Sequence, residues 1–274
     1  MNKKAILQYL SSIADSGITD LPNATDAMQS KIAQSFEATQ RLIDSKEGDE
    51  PLVETVSESE MPLPDSQKIM SAMPPTQNVG SKFSIGEKMA GLEVLQREVK
   101  GCNQCRELVD NRIQTVFGVG DPDAKLCFMG EAPGADEDRQ GEPFIGAAGQ
   151  LLNRIIVACK MKREEVYILN TIKCRPPNNR NPTETECGNC RPFLNRQLEL
   201  LQPEYICCLG GIAAKHLLST ELSVGRLRGR LHDYEGIPVV VTYHPAYLLR
   251  NPDAKKDVWA DMKFLMSEMG HDIS

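Results

Sequence analysis

From Gly86 onward, apolar residues gather into four short unbroken runs, separated by longer segments in which they recur every three to four positions. The runs KLCFMG (125–130), EEVYILN (164–170), PEYICCLG (203–210) and IPVVVTY (237–243) have the length and the β-branched or aromatic content of buried strands. The intervening segments GAAGQLLNRIIVACKM, TETECGNCRPFLNRQLELL and GIAAKHLLST have helical periodicity, as do EKMAGLEVLQREV before the first run and DAKKDVWADMKFLMSEM after the last. Strands alternating with helices predict a three-layer α/β/α fold around a central, mainly parallel, four-stranded sheet.

The pattern is different ahead of Gly86. Residues 3–14 and 24–44 can each form a short helix, and composition then shifts to Ser, Glu, Pro and Met with no sustained period. The expected organisation is an N-terminal extension over 1–48, an acidic Pro/Ser-rich linker over 49–86 and one α/β domain over 87–274. The extension reads either as a flexible tail or as a docking segment for a replication or repair protein. No apolar stretch has the length of a membrane span, and the first residues lack the cleavage pattern of a signal peptide, so a cytoplasmic, monomeric protein is expected.

Charge changes this picture little. The chain carries a formal −7, but residues 1–92 hold 8 Lys and Arg against 13 Asp and Glu, so most of the excess lies outside the α/β domain. That domain has local basic runs at Lys173–Arg175–Arg180 and Arg226–Arg228–Arg230, and a nucleic-acid partner is judged from such patches rather than from the whole-chain sum.

The chemistry-bearing residues cluster at the strand ends. Gly130-Glu131-Ala132-Pro133-Gly134 follows the first run, Asn170 closes the second, Gly210-Gly211 follows the third and His244-Pro245 the fourth. In open α/β sheets ligands bind outside the carboxyl ends of the strands, so these four loops predict a single site. Nine cysteines in a chain without a secretory signal argue against a disulfide framework. Cys102 and Cys105 form C-x2-C, and Cys174 and Cys190 have 15 residues between them. Two separated pairs suit a four-thiolate centre, either structural zinc or an iron–sulfur cluster. Cys127, Cys159, Cys207 and Cys208 read as small core residues. Cys187, three residues before Cys190, is ambiguous.

Taken together, GEAPGADEDRQGEPFIGAAGQLLN (130–153), YILNTIKCRPPNNRNP (167–182), GRLRGRLH (225–232) and YHPAYLLRNP (243–252) resemble the family 4 uracil-DNA glycosylases. The CNQC pair stands at the matching distance upstream, and the resemblance covers about residues 88–270. It implies a DNA repair enzyme that hydrolyses the N-glycosidic bond of uracil in DNA. It also implies a [4Fe-4S] cluster on Cys102, Cys105, Cys174 and Cys190, structural in purpose.

Such an enzyme must flip the base out of the stack or act on single strands. It must also hold the base while negative charge moves onto it from an oxocarbenium-like sugar. The resemblance implies that Phe144 stacks on uracil and that Asn170 reads its imide edge. His244 would hydrogen-bond the uracil oxygen and stabilise the anion. Glu131 and Ala132 would wall the pocket, with no carboxylate at the position of Ala132. Glu137 or Asp138 would shield the pocket or orient water, unless the ADED segment is only a solvated acidic loop. Leu248, Leu249 and Arg250 would face DNA as wedge and phosphate contact, or the leucines would pack inward from a short helix. Gly146 and Gly149 at a helix start could bind phosphate. A non-catalytic iron–sulfur or zinc DNA-binding module is the competing reading, and a sister glycosylase that bonds covalently to DNA through a loop histidine is disfavoured by the lack of such an insertion.

Overall fold

The computed structural model describes residues 83–273. The expected N-terminal helices and nearly all of the linker lie outside the described residues. Helix α1 (Ile85–Gly101) starts at a reciprocal cap in which the Ser84 hydroxyl accepts from the Glu87 N–H and the Glu87 carboxylate from the Ser84 N–H. After the CNQC segment come α2 (Arg106–Asn111), β1 (Val119–Gly120), β2 (Leu126–Gly130), α3 (Ala135–Gln140), α4 (Ala147–Ala158) and β3 (Tyr167–Asn170). They are followed by α5 (Glu184–Leu201), β4 (Tyr205–Leu209), α6 (Gly211–Leu218), α7 (Val224–Leu227), β5 (Leu231–Tyr234), β6 (Ile237–Thr242), α8 (Pro245–Arg250) and α9 (Lys255–Glu268). Among the described residues no helix is long and apolar enough to cross a membrane.

The four expected strands form the parallel centre of the sheet, in the order β3-β2-β4-β6. The expected count of four is corrected to six, because β1 pairs antiparallel with β3 and β5 antiparallel with β6. Both additions are edge strands with little hydrophobic signal. β1 is two residues long, and its Gly120 lies so close to β3 that a Cβ would fall 1.9 Å from the Val166 carbonyl oxygen. β5 is polar and half-exposed. It folds onto β6 through Glu235 and Gly236, both at positive φ (51° and 86°), as a two-residue hairpin loop requires.

Period-2 alternation assigns each strand residue to a layer. On one face Cys127, Met129, Leu169, Ile206, Cys208, Val239 and Val241 meet α1, α5 and α6. On the other, Leu126, Phe128, Ile168, Cys207, Leu209 and Val240 meet α4 and α9. Cys127, Cys159, Cys207 and Cys208 are buried core residues, as expected. The chain passes from β2 to β3 on one side and then to β4 on the other. That switch opens a crevice at the carboxyl ends of β2, β3 and β4.

Candidate active site

Gly130 ends β2 directly opposite Asn170, the end of β3. The ends are tied where Thr171 donates to the Gly130 carbonyl from both its N–H and its hydroxyl, each at 2.9 Å. A Cβ on Gly130 would lie 2.4 Å from Asn170 Oδ1 and 2.5 Å from Phe144 Cζ. The missing side chain therefore lets the Asn170 amide and the Phe144 ring share one space. Asn170 is 2% exposed, and its Oδ1 is the buried side-chain polar atom without a hydrogen-bond partner among the described residues. A buried acceptor left unpaired costs free energy unless something arrives to pair it.

Phe144 comes to this point on a constrained loop. Its φ of 54° is left-handed, unusual for an aromatic residue, and the loop is braced on three sides. Glu137 accepts from the N–H groups of Gly134, Ile145 and Gly146, each at 3.0 Å. Arg163 donates to the Pro143 carbonyl at 2.6 Å and to Asn153 Oδ1 at 2.8 Å. Gly149 of α4 passes so close that a Cβ would overlap the Phe144 carbonyl at 1.8 Å.

His244 faces Phe144 at 5.4 Å between ring centroids. It is the N-cap of α8, and its Nδ1 accepts from the Ala246 N–H at 3.1 Å. That bond leaves the ring proton on Nε2. Burial, helped by the Arg250 charge, lowers the His244 pKa to about 4, with Glu137 opposing. The imidazole is thus neutral at physiological pH, with Nε2–H as a donor. Gly210 (φ 97°) makes room for it, since a Cβ there would sit 3.0 Å from His244 Cβ.

The structure therefore brings Phe144, Asn170 and His244 together and separates other candidates from them. The Glu131 carboxyl is half-buried and pushed up by that burial, and Ala132 packs against the cysteine group. Glu137 supports the loop through main-chain bonds. Asp138 is buried and accepts from the N–H groups of Ile113 and Gln114, so it is corrected from a water-orienting or shielding group to a structural one. The phosphate reading of Gly146 and Gly149 is corrected likewise, because Glu137 already occupies the Gly146 N–H and Phe144 abuts Gly149. Leu248 is corrected as a DNA wedge: it is 1% exposed in the core, whereas Leu249 is 46% exposed and Tyr247 39%. Arg250 is exposed. The basic runs are corrected in part, because Lys173 is buried, Arg180 pairs with Glu186 and Glu107, and Arg228 pairs with Asp257 and Asp261.

Behind Ala132, the thiols of Cys105, Cys174, Cys187 and Cys190 share one apolar group with Leu108 and Ile172. Cys174 feels the charges of Cys102 and Cys105, and Cys190 those of Cys174 and Cys105, whereas Cys190 alone of those four acts on Cys187. Burial pushes the Cys190 thiol up to about 11 and the Cys187 thiol up to about 12. Donors are already aimed at the sulfurs. Arg112 reaches Cys174 Sγ at 2.8 Å while also bonding the Cys102 carbonyl at 2.7 Å, and Asn189 reaches Cys105 Sγ at 3.4 Å. The sulfurs of Cys174 and Cys105 thus accept bonds of the kind that suit thiolates held to a metal centre. Among the described residues no group of three His, Cys, Asp or Glu converges as ligands of one metal ion.

Residues missed from the sequence are those that build the site without touching its centre. Arg163 and Arg112 carry no sequence signal of their own, and only the backbone path reveals their acceptors. Gly130 and Gly210 were legible as strand-end glycines, though not as spaces for Asn170, Phe144 and His244.

Residues 117–263 match the family model of the uracil DNA glycosylase superfamily. The type-4 uracil-DNA glycosylase of Archaeoglobus fulgidus is 41% identical over 183 residues, spanning 64% of this chain and 92% of the relative. That of Thermotoga maritima is 42% identical over 162 residues, 58% of this chain and 84% of the relative. A type-5 uracil-DNA glycosylase of Pyrobaculum aerophilum is 30% identical over 146 residues, 47% of this chain and 64% of the relative.

Proposed function

The chain belongs to the uracil DNA glycosylase superfamily, and from that membership we propose that it excises uracil from DNA by hydrolysing the N-glycosidic bond, using Phe144, Asn170 and His244. The observation that carries the site assignment is the unpaired Asn170 Oδ1, buried beside the Phe144 ring. A uracil flipped into this space stacks on Phe144 and donates its N3–H to Asn170 Oδ1. As the glycosidic bond lengthens, charge accumulates on the uracil carbonyl next to that bond. His244 Nε2–H donates to this oxygen, and its neutral state matters because the donor stays in place without giving up its proton. Arg163 and Glu137 hold the loop so that the stacking surface exists before the base arrives. Glu131 and Ala132 close the wall behind it, and Leu249 and Arg250 meet the DNA, the first at the gap in the stack and the second at phosphate.

The donor set supports Cys102, Cys105, Cys174 and Cys190 as ligands of a [4Fe-4S] cluster. When bound, the cluster supplies a fixed cross-link between the CNQC segment and the β3–α5 connection, and no chemistry at the base. The test is incubation with uracil-containing oligonucleotides, single-stranded and opposite A or G, followed by alkaline cleavage at abasic sites. The expected result is cleavage at uracil alone, with His244→Ala and Asn170→Ala each slowing it by about 10² or more. Unchanged rates in both variants would sink the site, and no cleavage in any context would sink the function.

A further inference from the structure

Consecutive residues after β6 enter two different ring pairs. His244 faces Phe144 in the pocket, and Tyr243 stacks on Tyr247 of α8 at 5.0 Å between centroids, with 23° between the ring planes. The proposed reaction uses the first pair and not the second. The tyrosine pair is built from the interior outward. Asp261 of α9 is buried and accepts from the Thr242 hydroxyl at 2.6 Å and from Arg228 Nε at 3.0 Å. Arg228 also donates to the Asp257 carbonyl and pairs with the Asp257 carboxylate at 3.4 Å. The guanidinium fixed in this way lies 5.6 Å from the centre of the Tyr243 ring.

Tyr247 ends this series and remains 39% exposed. Among the described residues no ring or cation other than Tyr243 is paired with it. Stacking and cation–π contacts therefore set the orientation of an aromatic surface that stays open to solvent, and orientation set in advance lowers the cost of binding. Its place on α8 gives the surface a direction. Residues three apart on a helix are neighbours, so Tyr247 lies between His244 and Arg250, whereas Leu249 projects from the other side. Arg250 is exposed, as are Arg226 and Arg230, which stand two residues either side of Arg228 in the chain. An oriented ring among exposed arginines suits a nucleic-acid strand, whose bases stack on aromatic side chains while its phosphates meet cations.

We propose that Tyr247 stacks on the nucleobase next to the flipped uracil in the same strand, with Tyr243, Arg228 and Asp261 as the positioning residues behind it. This rests on the glycosylase reading. The contact is distinct from that of Leu249, which fills a gap that only a duplex has. A single strand offers Tyr247 an unpaired neighbouring base, so the stack serves excision there as well. Efficiency then depends on the base beside the uracil and not on the uracil alone.

The test uses the full chain and single-stranded oligonucleotides with one uracil. In two of them the base on the 5′ or the 3′ side of the uracil is replaced by a baseless tetrahydrofuran residue. Values of kcat/KM for excision are compared between wild type, Tyr247→Leu and Tyr247→Phe. At one of the two neighbours, removing the base is expected to cost the wild type about tenfold, the scale of one lost base–aromatic stack. The same removal should cost Tyr247→Leu no more than about twofold, because the stack is already gone. Tyr247→Phe keeps the ring and should behave as the wild type. A tyrosine that merely supports α8 would slow excision from every oligonucleotide by the same factor. Equal losses in wild type and Tyr247→Leu at both neighbours would therefore overturn the proposal, and so would a Tyr247→Phe that behaves as Tyr247→Leu does. A wild type indifferent to both removals would overturn it without recourse to any variant. Failure of the underlying reading shows separately, as wild-type protein that excises uracil from none of the oligonucleotides.

Discussion

At the scale of single residues, the site works by leaving selected atoms unmatched. Asn170 Oδ1 lacks a partner and His244 Nε2–H points away from its capped Nδ1. Two glycines, Gly130 and Gly210, hold back the side chains that would fill the space. For His244 the consequence can be read against pH. Its pKa is lowered from 6.5 to about 4, so between those values the unfolded chain binds more protons than the folded one. Its contribution to stability is therefore complete above about 6.5 and fades as pH falls towards about 4. Nitrogen NMR of the ring should report a neutral imidazole with its proton on Nε2 at pH 6, where an ordinary histidine is largely charged. A midpoint near 6.5 for His244 would contradict the half-buried, capped geometry. Excision should show no acid limb from this residue until pH approaches about 4.

At the scale of elements, short segments are organised by main-chain bonds to one side chain. Glu137 gathers three N–H groups from the start of α3 and from the loop entering α4. Hydrogen bonds to a charged group contribute about 1.5–3 kcal/mol each, less where solvent reaches them. Glu137→Ala is expected to lower stability by about 2–4 kcal/mol in denaturant unfolding and to speed amide exchange at Ile145 and Gly146. Unaltered exchange there would show that the loop holds Phe144 by other means. The six-residue α8 shows the same economy of parts, with one leucine turned each way. Leu248→Ala should cost about 2–5 kcal/mol of stability, as a core truncation does. Leu249→Ala should leave stability within about 0.5 kcal/mol and reduce excision from duplexes more than from single strands, because only a duplex needs its vacated stack filled. Equal losses on both substrates would remove Leu249 from the DNA contact.

At the scale of the whole molecule, the cysteine group joins parts of the chain far apart in sequence. Arg112 clamps the Cys102 carbonyl to Cys174 Sγ, and Asn189 of α5 reaches Cys105. The CNQC segment is thereby tied to the β3–α5 connection, directly behind Ala132 and the pocket wall. Alanine at Cys102, Cys105, Cys174 or Cys190 should abolish absorbance at roughly 400 nm and reduce iron content and thermal stability together. Cys187→Ala should keep the absorbance, since Cys187 is not one of the four proposed ligands although it shares their apolar group. Loss of iron in Cys187→Ala, or retention in any of the other four, would redraw the ligand set.

Hydrophobic periodicity alone determined the layered architecture: four apolar runs became the parallel centre, and the helical segments between them became the two outer layers. It did so because burial on both faces writes a strong pattern into a strand. The strand-end rule likewise places Gly130, Asn170, Gly210 and His244 at one edge from the sequence alone. The edge strands β1 and β5 were not legible, because one is two glycine-containing residues and the other is polar and half-exposed. Nor was the fate of charge. Lys173 reads as part of a basic run and is buried, and Glu137 and Asp138 read as shielding or water-orienting groups, or as a solvated acidic loop, and bond to main-chain N–H groups. Leu248 and Leu249 are adjacent and chemically identical, yet one is core and the other surface. The tertiary structure decided these, because a polar side chain's role depends on which backbone groups come within about 3 Å of it, and that distance is set by the packing of elements remote in sequence.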